Sequence, residues 1–407
     1  MKLKKYPAPR GRFLLRRVLF LCFFCISPLL SGAPLFSPTW GFRIDLPEGY
    51  EYLEGDGKDR FSFRSPQGAA LDLVVYTGQA RSNPAYASAG AVLRDVERRL
   101  KSTGEINLFD YRNKEAALMD LSFPAPQGPR EGWGLCIELE GKAGEPKPLL
   151  LALAYGPAEA PGLRSFHFSA LDSIAPAEAD RRVPGPVTEF AYPRGERKEG
   201  SLAVPGGTSL RVPVYEHDAE AAQALVDREF AVLRAYTDSP LWKEAWTRFY
   251  RAIYRDSFDR LAEAAFVLER HWNRSPQQGE APEDPAGRRR ELAERALEWV
   301  QGFTYERDLM GSDFVNLISA ALEGRGDCDS RALLWAIVLE QANIPAAIMV
   351  SREYGHAMGL ADIAGTGARF DWEGTKWLVA ETTAAVSLGL IGENSADPSR
   401  WLGITFF

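Results

Sequence analysis

The stretch Gly324-Arg325-Gly326-Asp327-Cys328-Asp329-Ser330-Arg331, with Ala332-Leu333-Leu334-Trp335-Ala336-Ile337-Val338-Leu339 behind it, decides how the C-terminal part of this chain is read. Two glycines and an aspartate make a tight turn and an N-cap, and no charge interrupts Ala332 to Leu339. The run therefore predicts a buried helix that starts at Cys328. A thiol in that position meets unpaired backbone N–H groups and the positive end of the helix dipole, both of which favour the nucleophilic thiolate. Asp327 and Asp329 act in the opposite sense, because neighbouring negative charge raises a thiol pKa.

A thiolate that attacks a carbonyl also needs a proton carrier, and the chain has four histidines: His167, His217, His271 and His356. His356, in Tyr354-Gly355-His356-Ala357-Met358-Gly359-Leu360, opens an alternating segment that reads as a strand, 28 positions after Cys328. Another 25 positions on, Glu381 closes the strand-like Lys376-Trp377-Leu378-Val379-Ala380-Glu381-Thr382-Thr383. The order is Cys on a helix, His on one strand and an acid on the next.

These motifs (Gly-Asp-Cys-Asp before a buried helix, Gly-His-Ala on a strand, Trp-Leu-Val-Ala-Glu-Thr-Thr on another) resemble the bacterial transglutaminase-like superfamily over roughly residues 290 to 407. The resemblance implies a papain-type α+β core, with Cys328 as nucleophile, His356 as base and acid, and Glu381 orienting the imidazole. The third member is ordinarily aspartate, so Glu381 departs from the pattern by one methylene. Asp362, Asp371 or an amide is the alternative. Asp362, however, lies about 20 Å along the strand of His356, and Asp371 opens a turn that points away. The implied activity is amide hydrolysis or acyl transfer through a Cys328 thioester, on a protein, peptide or cell-wall amide, with no cofactor and no metal. The choice between water and an amine as acceptor stays open. The rival reading is a non-catalytic extracytoplasmic binding or scaffold protein that retains the fold.

The first 33 residues carry seven cations, Lys2 to Arg17, then thirteen residues from Val18 to Leu30 without charge, then Ser31-Gly32-Ala33. This is the pattern of a secretory signal peptide. The apolar run is shorter than the roughly 20 residues a bilayer-spanning helix needs. The expected location is periplasmic or secreted, with no stable membrane span after cleavage; an uncleaved anchor is the alternative. Loss of the seven cations takes the formal net charge from −7 to −14, which argues against nucleic acid or anionic lipid as partners. Cys22 and Cys25 lie in the leader. Cys136 and Cys328 remain, too few for a disulfide framework in a chain of this length.

A length of 407 residues exceeds one ordinary core. Short alternating segments punctuated by Gly and Pro, such as Leu71-Asp72-Leu73-Val74-Val75-Tyr76 and Leu149 to Tyr155, predict an antiparallel sheet over residues 40–178, with one helix carrying Ala91, Val92, Val96 and Leu100 inward. Arg164 to Phe168 reads as its last strand. Phe-Arg-Ile-Asp-Leu-Pro-Glu-Gly-Tyr near its start and Ser-Ala-Leu-Asp-Ser-Ile near its end resemble PsbP-like domains, which implies a binding or accessory module. Residues 179–272 read as a hairpin and long helices that pack on the C-terminal part through Trp242, Trp246, Phe249, Ile253, Leu261, Ala265 and Leu268. Residues 273–287 read as a disordered Pro-rich loop, and 288–407 as the transglutaminase-like domain. The expected class is α+β. No phosphate-binding glycine loop and no Cys/His set at metal-ligand spacing is present.

Overall fold

The computed structural model describes residues 34–274, 284–307, 312 and 314–406. The proposed leader lies outside the described residues, as does 275–283 of the proposed loop. The chain is mixed α+β, as expected.

Its N-terminal part is a seven-stranded antiparallel sheet in the spatial order Glu51–Gly55, Arg60–Arg64, Ala70–Tyr76, Leu149–Pro157, Arg130–Glu138, Lys114–Phe123, Ile106–Tyr111. Period-2 alternation sorts its side chains onto two faces. Leu71, Leu73, Leu135, Ile137, Leu150 and Ala152 point to one core, while Cys136, Met119, Leu149 and Leu151 point to the other, which the helix Ala89–Leu100 covers with Val92, Leu93 and Val96. Sheet and helix therefore bury apolar area on both sides.

Arg164–Phe168 is not a strand. It lies in the helix Leu163–Asp172, with Leu163, Phe166, His167, Ala170 and Leu171 buried at helical spacing. The alternation of Phe166 and Phe168 misled because Phe168 packs on Trp133, ring centroids 4.2 Å apart, instead of entering the core.

The hairpin Arg197–Val204 with Thr208–Tyr215 follows, then the helices Asp218–Arg234, Trp242–Arg260 and Ala262–Arg274. The helix that runs on from Trp242 breaks at Leu261. Leu261 N–H still donates to Ser257 O at 3.0 Å and Ala265 N–H to Leu261 O at 2.9 Å, so the break is local. Phe249, Ile253, Leu261, Ala265 and Leu268 share one core with the C-terminal part, while Val232, Tyr236 and Ala245 close the core of the sheet. Helix Pro285–Gln301 begins earlier than the sequence suggests, because Asp284 caps it by accepting from Gly287 N–H at 3.0 Å and Pro285 suits its first turn.

The C-terminal part is a five-stranded antiparallel sheet ordered Arg369–Trp372, Thr375–Ala380, His356–Ala361, Ala346–Ser351, Leu402–Ile404, packed on the helix Cys328–Gln341. Ala346–Ser351, buried at every position, has no alternation to betray it as a strand. Asp371 lies in a strand, and the tight turn is made by Glu373 and Gly374, with φ of 48° and 81°.

Candidate active site

Helix Leu317–Glu323 ends at Gly324, whose φ of 62° is the left-handed cap that glycine adopts without strain. Arg325–Gly326 then pairs in parallel with Thr304–Tyr305. Asp327 caps the next helix by accepting from Ser330 N–H at 2.8 Å, and Cys328 is its first residue, as the sequence predicts. Leu333 to Ile337 are fully buried, which anchors that first turn. Arg331, 2% exposed, ties the turn down: its Nε donates to Gly326 O at 3.0 Å and its Nη2 to Phe303 O at 2.8 Å.

Cys328 is 5% exposed, and its sulfur receives a hydrogen bond from the backbone N–H of Ala357, the residue after His356. The Tyr305 hydroxyl also bonds to it, and Asp329 Oδ2 lies 3.7 Å away. Burial pushes the thiol pKa up, and the charges of Asp329 and Asp327 push it further. The helix terminus does not overcome these effects, so the resting group is the thiol rather than the expected thiolate. Cys136 is raised too, by burial in the sheet. Asp327 is itself pushed up to about 8, by burial and then by Asp329. The hydroxyl of buried Tyr250 donates to Asp329 Oδ1.

His356 opens its strand, half-buried, with the edge of Trp401 at 6.2 Å between ring centroids. Its Nε2 lies 2.8 Å from Glu381 Oε2. The register Gly359↔Ala380 brings the residue after the strand Thr375–Ala380 alongside the histidine. Burial would raise the Glu381 pKa, but hydrogen bonds from His356 and Thr383 outweigh it and hold the carboxyl below its ordinary value. Thr383 donates to Glu381 Oε1 from N–H at 2.8 Å and from Oγ1 at 2.6 Å. Gln301 Nε2 holds the Glu381 carbonyl at 2.8 Å.

Of the three residues singled out, His356 and Glu381 are thus directly bonded, and Cys328 abuts the backbone beside His356. With Nε2 engaged by Glu381, Nδ1 is the ring nitrogen left for a second partner. Tyr305 was missed. Its contact with Cys328 arises from the pairing Tyr305↔Gly326, which no local pattern announces. The other histidines stand apart from this group. His167 is buried in its helix and bonded to the Tyr155 backbone, while His217 sits near Glu216 and Glu220. Among the described residues no three His, Cys, Asp or Glu side chains could hold a metal ion, and no helix is long and apolar enough to cross a membrane.

The fold and these contacts define an α+β protein with a cysteine beside a hydrogen-bonded His–Glu pair. No protein-family model matches the sequence, and no curated protein matches it. Among solved structures, LpqN, involved in cell envelope biogenesis of Mycobacterium tuberculosis, aligns at 14% identity and a TM-score of 0.26 over 35% of this chain and 90% of its own. A Bacteroides thetaiotaomicron protein aligns at 12% identity and a TM-score of 0.23, over 55% of this chain and 77% of its own. A protein from Parabacteroides distasonis, described as a candidate protease, aligns at 9% identity and a TM-score of 0.22, over 83% of this chain and 66% of its own. Likeness at this level carries no functional argument.

Proposed function

We propose that the chain is an exported cysteine-dependent amide hydrolase or acyltransferase of the transglutaminase-like kind, with Cys328, His356 and Glu381 as its reacting group. The observation that carries this reading is the 2.8 Å contact between His356 Nε2 and Glu381 Oε2 beside a cysteine at the start of a buried helix. Export rests on the leader-like residues 1–33. Residues 288–407 form the transglutaminase-like domain in this reading, 179–272 the segment packed on it, and 40–178 a binding or accessory module.

Because burial holds Cys328 as a thiol, His356 works as a general base in step with attack rather than as one half of a standing ion pair. Nδ1 takes the thiol proton as sulfur bonds to the carbonyl carbon of an amide. Glu381, ionised by its hydrogen bonds, stabilises the imidazolium that forms. The backbone N–H groups at the helix start and the Tyr305 hydroxyl are donors available to the developing oxyanion. Collapse breaks the C–N bond, the amine leaves with the proton from His356, and a thioester remains. Water, the default acceptor where a site does not exclude it, then attacks with His356 again as base and restores the thiol.

The raised thiol pKa and the 5% exposure of Cys328 also favour a second reading, a binding or scaffold protein that keeps the fold without the chemistry. Iodoacetamide under limiting conditions near neutral pH separates the two. Catalysis requires Cys328 to react before Cys136, and His356→Ala to slow that reaction by about tenfold or more, since general-base assistance supplies ~10²-fold and upward. A rate indifferent to His356, or no faster than that of Cys136, leaves the scaffold reading standing.

A further inference from the structure

Away from Cys328, a cavity of about 50 Å³ lies where the sheet side of the molecule meets the helix Trp242–Arg260. Six arginines line it: Arg43, Arg181, Arg228, Arg248, Arg251 and Arg255. Four carboxylates line it too, two of them paired with lining arginines and a third with Arg260 outside the lining. Asp172 pairs with Arg228 at 2.6 Å, Glu229 with Arg248 at 2.7 Å, and Asp256 with Arg260 at 2.9 Å. Asp45, the fourth, is half-buried, and its desolvation outweighs the pull of Arg248 and Arg251 and raises its pKa. Arg181 is partnered by Glu178. Arg255 spends its terminal nitrogens on the carbonyls of Asp172, Ile174 and Asp180, at 2.8, 2.9 and 3.3 Å, which leaves its charge uncompensated by those bonds. The balance inside the cavity is therefore positive.

Three of the lining side chains hold a donor in reserve. Arg43 Nε, Arg181 Nε and Arg255 Nε are buried with no acceptor. A buried donor left without an acceptor is unfavourable, yet the fold keeps all three around one space. Arg43 also feels the like charges of Arg181 and Arg251, and its pKa is lowered by burial and then by that repulsion. An arrangement that is unfavourable empty becomes favourable around an anion, and planar guanidinium groups suit the oxygens of phosphate and sulfate. A volume of about 50 Å³ holds a group of a few heavy atoms and excludes a larger molecule from its interior.

We propose that this cavity is a binding site for a small divalent oxyanion, phosphate or sulfate, either free or as the terminal group of a larger ligand. The site is independent of the Cys328 chemistry.

Isothermal titration of the full chain at constant ionic strength tests it, with inorganic phosphate, sulfate, glycerol phosphate and chloride. One saturable site for phosphate or sulfate and none for chloride is the expected result. Equal binding of glycerol phosphate marks a terminal group of a larger ligand, and its exclusion marks the free ion. Arg43→Gln should weaken binding about tenfold or more, because a hydrogen bond to a charged group is worth that much. Arg43 makes no ion pair among the described residues, so its loss should leave the fold intact by circular dichroism. If it does not, Arg181→Gln, whose partner Glu178 is exposed, replaces it. No saturable binding up to about 10 mM phosphate, or an affinity unchanged in the folded variant, overturns the proposal.

Discussion

Glu381 is the residue on which the reading of the site turns, because it does two things that an aspartate would do from a strand one methylene closer. Its Oε2 meets His356 Nε2, and its Oε1 accepts twice from Thr383. Glu381→Gln keeps the shape but removes the charge that stabilises an imidazolium. Turnover on an amide substrate should fall by roughly one to four orders of magnitude, since loss of such an acid costs up to ~10⁴. Thermal unfolding should change little. A variant with unaltered turnover would take Glu381 out of the mechanism. The sequence showed the type and order of these three residues. The state of the thiol was not legible in it, because the helix terminus is local whereas the burial that opposes it is a property of the packed whole.

Between elements, the helix Cys328–Gln341 and the strand His356–Ala361 approach closely because Gly359 has no side chain. A Cβ at Gly359 would lie 2.4 Å from Trp335 Cε3. Trp335 cannot yield: it is fully buried and donates from Nε1 to Ala293 O at 3.1 Å. Gly359→Ala should therefore destabilise the protein by about 1–3 kcal/mol through overpacking, read as a lower urea midpoint. The strand carries His356 and the helix carries Cys328, so alkylation of Cys328 should slow in the same variant. Helix boundaries with a capping residue, such as Asp327, were legible. The strand Ala346–Ser351 and the break at Leu261 were not, since one is buried on both faces and the other interrupts no pattern.

Across the whole molecule, stability depends on buried groups that titrate. His167, 4% exposed, has its pKa lowered to about 4 by burial, the hydrogen bond to the Tyr155 backbone only partly offsetting this. With the folded value below the unfolded one of about 6.5, its contribution is present above pH 6.5 and is lost as pH falls through the folded value, because the unfolded chain takes up a proton that the folded chain refuses. Glu48 opposes this. Its pKa is raised by burial to about 7, so its contribution is present at low pH and lost as pH rises. The two partly cancel in the native chain, and the comparison with His167→Gln isolates the histidine. Between pH 6.5 and 4 the native chain should lose on the order of 3 kcal/mol more than the variant, measured by urea unfolding across that range. Parallel pH profiles for the two would remove His167 from the account.

What the sequence determined by itself is what local pattern encodes. Period-2 runs specify the sheet strands and their two faces, the Gly-Arg-Gly-Asp turn sets the start of the cysteine helix, and the order of Cys, His and acid follows from element type. The tertiary structure decided the rest, because it depends on which segments meet. Arg164–Phe168 became helix when the spacing from Leu163 to Leu171 found a face of the sheet to cover. Tyr305 reached Cys328 through a strand pairing with Gly326. Six arginines scattered from Arg43 to Arg255 came to line one cavity. Burial and electrostatic environment are sums over neighbours distant in sequence, so the protonation of Cys328, the strain around Arg43 and the pH dependence of His167 exist only in the folded chain.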